Sequence, residues 1–102
     1  QWTVCKGFDT FAPIGPWIET DINLDDARIV TMLNDEIKQD SNINDLIFKV
    51  PELVEKITAV MTLYPGDIIL TGTPSGVGPM QVGDTVTVAI EGIGELANTI
   101  KR

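Results

Sequence analysis

Ten residues from Leu70 to Pro79, LTGTPSGVGP, hold three glycines, two prolines, two threonines and a serine. Residues without a Cβ let backbone amides come close to a ligand. Successive N–H groups with hydroxyls beside them can bind a carboxylate or another oxyanion. Gly72, Gly76 and Gly78 would allow the close approach, and Thr71, Thr73 and Ser75 would supply the hydroxyls. The same residues also read as a wide turn between two strands. The stretch lacks the Gly-Lys-Ser/Thr ending of a P-loop. No helical pattern follows it, as a dinucleotide fingerprint would require.

A second candidate is KGFDTFAPIGPW, Lys6 to Trp17. Lys6 is the only basic residue in the first 27 positions and stands among aromatics and glycines. An amine so placed can serve as a localised cation for an anionic substrate. It can equally lie exposed with its stem over an aromatic ring. Asp9 could pair with Lys6 or bond to local amides, and Thr10 offers a hydroxyl. The chain has no histidine, so the commonest general base and the commonest transition-metal ligand are missing. The single Cys5 has no histidine to activate it and reads as a small core residue. The acid pairs Asp25-Asp26 and Asp35-Glu36 are adjacent, and neighbours on a strand point to opposite faces. Taken from the residues alone, the chain offers anion-binding parts without a general base or a metal cage.

These candidates need elements to position them. Residues 1–20 hold four of the six aromatics amid turn formers and read as a structured loop region with a short strand at its start. DINLDD, residues 21–26, is a polar connector. Ala27 to Leu33 is short, apolar and β-branched, and reads as a strand. Asn34 to Glu36 signals a hairpin, with IKQD returning as an ordinary surface ribbon. Pro51 suits a first helical position and Glu52 suits the helix dipole. Leu53, Val54, Ile57, Val60 and Met61 then recur at helical spacing, the mark of a core face. Tyr64 to Asp67 ends that helix, and DIILTG follows as a fully apolar, buried strand. From Gly83 onward Val86, Val88 and Ile90 alternate with Thr85, Thr87 and Ala89. A turn at Gly92-Ile93-Gly94 then leads into ELANTIKR as a last antiparallel strand. The fold class is α+β, β-rich with one principal helix.

The 102 residues make about one small domain. A formal charge of -8, with the acids scattered along the chain, argues against nucleic acid as a partner, because phosphates call for a basic face. No segment is apolar for the roughly 20 residues that a membrane span takes, and no signal pattern opens the chain. One cysteine fits a reducing compartment, with the cytoplasm as the default.

KGFDTFAPIGPW, NDEIKQDSNINDLIFKVPELVEKIT, TLYPGDIILTGTPSGVGP and GDTVTVAIEGIGELANTI, in this order and covering nearly the whole chain, resemble the fumarylacetoacetate hydrolase family. The likeness is to its bacterial and archaeal branch of acylpyruvases and 2-hydroxyhepta-2,4-diene-1,7-dioate isomerases. The resemblance implies a mixed, mainly β roll, with residues 1–102 as the C-terminal portion of one catalytic domain, often paired as a homodimer. It implies a Mg²⁺- or Mn²⁺-dependent reaction on 2-oxo or 2,4-dioxo carboxylates: carbon–carbon hydrolysis, decarboxylation or isomerisation through a metal-stabilised enolate, in the catabolism of aromatic compounds or acylpyruvates. A divalent ion and a lysine would both draw charge to the oxygen where it develops.

By the same resemblance Lys6 matches the active-site lysine and Thr10 a threonine lining the site. Thr73 matches a substrate-contacting threonine, with Gly72 giving it room, which favours the cradle reading of the loop. The family's metal carboxylates, a Glu-x-Glu pair and a later aspartate, have no match in this chain and are expected upstream, on the same polypeptide or on a partner chain. The opening Gln1 fits a C-terminal fragment that would be inactive alone. Asp35 stands where glycine is usual and Ile43 where threonine is common. The alternative is a non-catalytic fragment or an anion-binding module.

Overall fold

The structure is a computed structural model that describes residues 1–23 and 25–102. At its centre are two hairpins set side by side. Strands β1 (Arg28–Leu33) and β2 (Glu36–Asn42) form the first, and β3 (Thr85–Ile90) and β4 (Gly94–Thr99) the second. They make one antiparallel sheet in the order β2-β1-β3-β4. The first turn is tight because Asn34 and Asp35 both adopt positive φ, 50° and 68°, the conformation of a two-residue hairpin turn that follows the strand twist. Glycine takes that conformation with less strain than the aspartate found here.

Long-range contacts join the hairpins. Asn34 donates from Nδ2 to Asp84 at 2.8 Å and accepts from the Thr85 amide at 2.9 Å. Ile29 faces Ile90 and Leu33 faces Val86 across β1 and β3. Within the first hairpin, Arg28 reaches Asp40 on β2 with two bonds of 2.8 and 2.6 Å. This hydrogen-bonded partnership holds the Asp40 carboxyl below, and the Arg28 guanidinium above, their ordinary values. Both side chains are exposed, so the pair adds little to stability.

β2 contains a bulge. Thr31 pairs with Gln39 and Met32 with Ile37, so the Lys38 between them has no opposite number. Past β2, a 3-10 turn over Ile43–Asp45 is capped by Asn42 and leads into helix α2 (Val50–Thr58). Glu52 accepts from the Lys49 amide at 2.9 Å, satisfying one of the free N–H groups at the helix start.

Several expectations are corrected. The chain opens on a single helical turn, α1 (Trp2–Lys6), instead of a strand. Its Cys5 amide bonds back to the Gln1 carbonyl at 3.1 Å. Cys5 is exposed and not in a core. DIILTG forms no strand, because no neighbour among the described residues supplies a ladder. The helical stripe is not buried either. Val60 is 79% exposed and Met61 58%, both beyond the helix end, and the extensive contacts between elements all run along the sheet. Ala27 is the one buried apolar residue among those described. The accessible surface of 8503 Å² exceeds the roughly 5,700 Å² of a folded monomer of this mass, so much apolar surface faces outward. The connector over residues 21–26 includes Leu24, which lies outside the described residues.

Candidate functional site

Two open grooves flank Ile90. The larger, about 740 Å³, is bounded by the Thr10–Trp17 segment and by Val86, Val88 and Leu96 of the second hairpin. The three alternating residues of β3 therefore share one face, as the spacing predicts. The smaller, about 490 Å³, lies between Ile29 and Ser41 of the first hairpin, the Ile43–Phe48 segment, and Thr71, Gly72, Thr73 and Pro74 of the loop.

That loop is seated on β2. Gln39 donates from Nε2 to Thr73 Oγ1 and to the Pro74 carbonyl, both at 2.9 Å. Gly76 (φ 106°) lies against the Lys38 carbonyl, where a Cβ would collide with the oxygen. Gly72 takes φ 107° with open space around the position of a Cβ, which leaves its backbone accessible from the groove. The carbonyl of the bulge residue thus meets a glycine, which alone lacks the Cβ that would collide with it.

Asp45 is the acidic residue on the smaller groove, and its Oδ2 is engaged. Ser41 Oγ donates to it at 2.7 Å and the Asn42 amide at 3.0 Å, and these bonds hold its carboxyl below the ordinary carboxylate value. Among the described residues, no lysine or arginine lines this groove.

The four candidate side chains and backbones fall into three places. Gly72 and Thr73 line the smaller groove and Thr10, at φ 68°, lines the larger. Lys6 lies exposed in the last turn of α1 and lines neither. Neither Lys6 nor Asp9 takes part in an ion pair among the described residues. No three histidine, cysteine, aspartate or glutamate side chains converge among the described residues. Among the described residues there is therefore no clustered set of such side chains to hold a divalent cation. Sequence reasoning missed Gln39. Its only signal was a polar side chain in a short strand, since a bulge cannot be read from alternation.

Residues 1–101 match the family model described as Fumarylacetoacetate (FAA) hydrolase C-terminal. The chain is 50% identical over 105 residues to Protein Rv2993c of Mycobacterium tuberculosis, covering 100% of this chain and 40% of that protein. It is 46% identical over 94 residues to the mitochondrial oxaloacetate decarboxylase of Dictyostelium discoideum, covering 90% and 43%. Among solved structures it is similar to the 2-hydroxyhepta-2,4-diene-1,7-dioate isomerase of Mycobacterium marinum, with a TM-score of 0.94 and 55% identity over 97% of this chain and 39% of that one. It is also similar to the maleylpyruvate hydrolase of Sphingobium sp. SYK-6 in complex with manganese(II) and pyruvate, with a TM-score of 0.87 and 42% identity over 90% and 36%. The chain spans about two fifths of the length of the curated relatives it matches.

Proposed function

The chain belongs to the fumarylacetoacetate hydrolase family, and from that premise we propose that it is the C-terminal part of an enzyme acting on a 2-oxo or 2,4-dioxo carboxylate. The observation that carries the reading is the seated loop: Gly72 and Thr73 line a groove, and Gln39 holds them there. Backbone amides and a fixed hydroxyl suit the anionic end of such a substrate. The ligands named with the relatives are of this chemical class, pyruvate for the hydrolase and oxaloacetate for the decarboxylase.

In this reading Lys6 stabilises negative charge that develops on the substrate oxygen, and Thr10 lines the same site in the whole protein. The divalent ion, Mg²⁺ or Mn²⁺, is held by carboxylates outside this chain. The sequence absent here relative to the homologues would cover the outward apolar surface, complete the β roll and bring the two grooves and Lys6 together. The assembly is a homodimer or a pairing with that remaining segment, in a reducing compartment such as the cytoplasm.

The test is turnover by the intact protein, supplied with Mg²⁺ or Mn²⁺, on oxaloacetate and on acylpyruvates. Native mass spectrometry comes first, to show which polypeptides are present. Turnover of one of these substrates is expected. A folded, metal-loaded protein that converts none of them overturns the reading in favour of a non-catalytic anion-binding module. A groove without a basic residue would suit that second role less well than a two-part site.

A further inference from the structure

We propose that Gln39 is a positioning residue that fixes the Thr73 hydroxyl as a hydrogen-bond donor to the substrate's anionic oxygen; the inference rests on Thr73 being a substrate contact, as read above. Gln39 follows the bulge residue Lys38 and pairs with Thr31. Past the bulge β2 is in regular register, and alternation puts Gln39 on the same face as Ser41, which lines the smaller groove.

The polarity of the contact follows from chemistry. The Pro74 carbonyl can only accept, so the nitrogen end of the Gln39 amide must face the loop, and the same nitrogen then donates to Thr73 Oγ1. A threonine oxygen that accepts from Gln39 keeps its own proton for another partner. Thr73 Oγ1 donates to no protein group among the described residues. Thr73 sits beside Gly72, whose backbone is open to the groove. A carboxylate or keto oxygen placed there receives that proton. Two further contacts keep the loop in register with β2: the bond to Pro74, and Gly76 against Lys38.

The experiment uses the intact protein with Gln39→Leu, Gln39→Glu, Thr73→Val and the double variant Gln39→Leu/Thr73→Val. The readouts are KM and kcat on whichever oxo acid the wild type converts, and the dissociation constant of oxalate by calorimetry. Removing the donor should raise KM and the oxalate constant about tenfold with kcat held within about threefold, the pattern of lost uniform binding. Gln39→Glu keeps the shape but turns the donor into an acceptor that captures the Thr73 proton, and should cost about a hundredfold, the upper range for a hydrogen bond to a charged group.

In the double variant, Gln39→Leu should add nothing to Thr73→Val, because its effect runs through that hydroxyl. A purely structural role would lower the melting temperature and add to Thr73→Val. Additivity, or oxalate binding by Gln39→Leu within about twofold of wild type, overturns the proposal, twofold lying below the cost of a lost hydrogen bond. Should Gln39→Leu not fold, the near-isosteric Gln39→Glu decides alone, and unchanged oxalate binding overturns the proposal. If the wild type converts no oxo acid yet binds oxalate with this variant pattern, the reaction reading fails and the positioning role stands. If it binds no oxalate, both fall.

Discussion

Gly76 stands against the backbone carbonyl of Lys38, the residue that the β2 bulge leaves without a partner. Its φ of 106° belongs to the region where side chains are strained, and a methyl group would meet the carbonyl carbon and the Gln39 side chain as well as the oxygen. The bulge and the glycine together set the loop at one height on the sheet, with Thr73 within reach of Gln39.

Gly76→Ala should therefore destabilise the intact protein by about 2 kcal/mol or more, through backbone strain and the clash with Lys38. Denaturant titration measures it. An unchanged midpoint would mean that the loop is not seated on the bulge.

Lys6→Ala should cut kcat of the intact enzyme at least about 100-fold, the scale of removing one group that stabilises developing charge. Lys6 is exposed in this structure, so the melting temperature should stay near the wild-type value, as for a substitution within about 0.5 kcal/mol. Full activity in a folded Lys6→Ala protein would sink the role assigned to this amine.

Chelation should abolish turnover by the intact enzyme, and Mn²⁺ or Mg²⁺ should restore it. Asp45→Asn should leave manganese affinity within about threefold of wild type, less than the tenfold cost of losing even an outer-shell partner. Its Oδ2 already serves Ser41 and the Asn42 amide. A larger loss would make Asp45 a metal ligand and return part of the cage to this chain.

Asp84 accepts from the Gln81 amide at 2.7 Å and from Asn34 at 2.8 Å, and these bonds hold its carboxyl below the ordinary carboxylate value. A carboxyl depressed in the folded state contributes stability that is fully present above its unfolded value, near 3.9, and is lost as pH falls through the folded one. Asp40 and Asp45 are shifted the same way. These groups should leave the melting temperature flat between about pH 5 and 7 and lower it below about pH 4. Asp84→Asn should make that acid arm shallower in calorimetric scans. An unchanged acid arm would assign it to other groups.

Much of the local structure was legible in the sequence. The Asn34-Asp35 turn, the alternation along β3 and the Pro51–Glu52 helix start each depend on residues a few positions apart; the turn and the alternation stand where the spacing put them, and the helix opens at Val50, one residue ahead of Pro51. The long matched text also carried the family, which residues 1–101 match. Helix extent was harder to judge, because apolar spacing continues through Val60 and Met61 after the helix has ended at Thr58.

What the tertiary structure alone decided concerns partners far apart in the chain. Apolar character marks DIILTG and the helical stripe as surfaces that favour burial, but burial depends on a covering element, and none of the described residues provides one. Pairing β1 with β3 joins residues such as Ile29 and Ile90, and no local propensity specifies that neighbour. The contact between Gln39 and Thr73 spans 34 positions and depends on a bulge that turns one side chain towards a loop. Periodicity and turn chemistry act over a few residues, whereas the seating of this loop comes from sheet register and close packing, which only the folded chain brings into being.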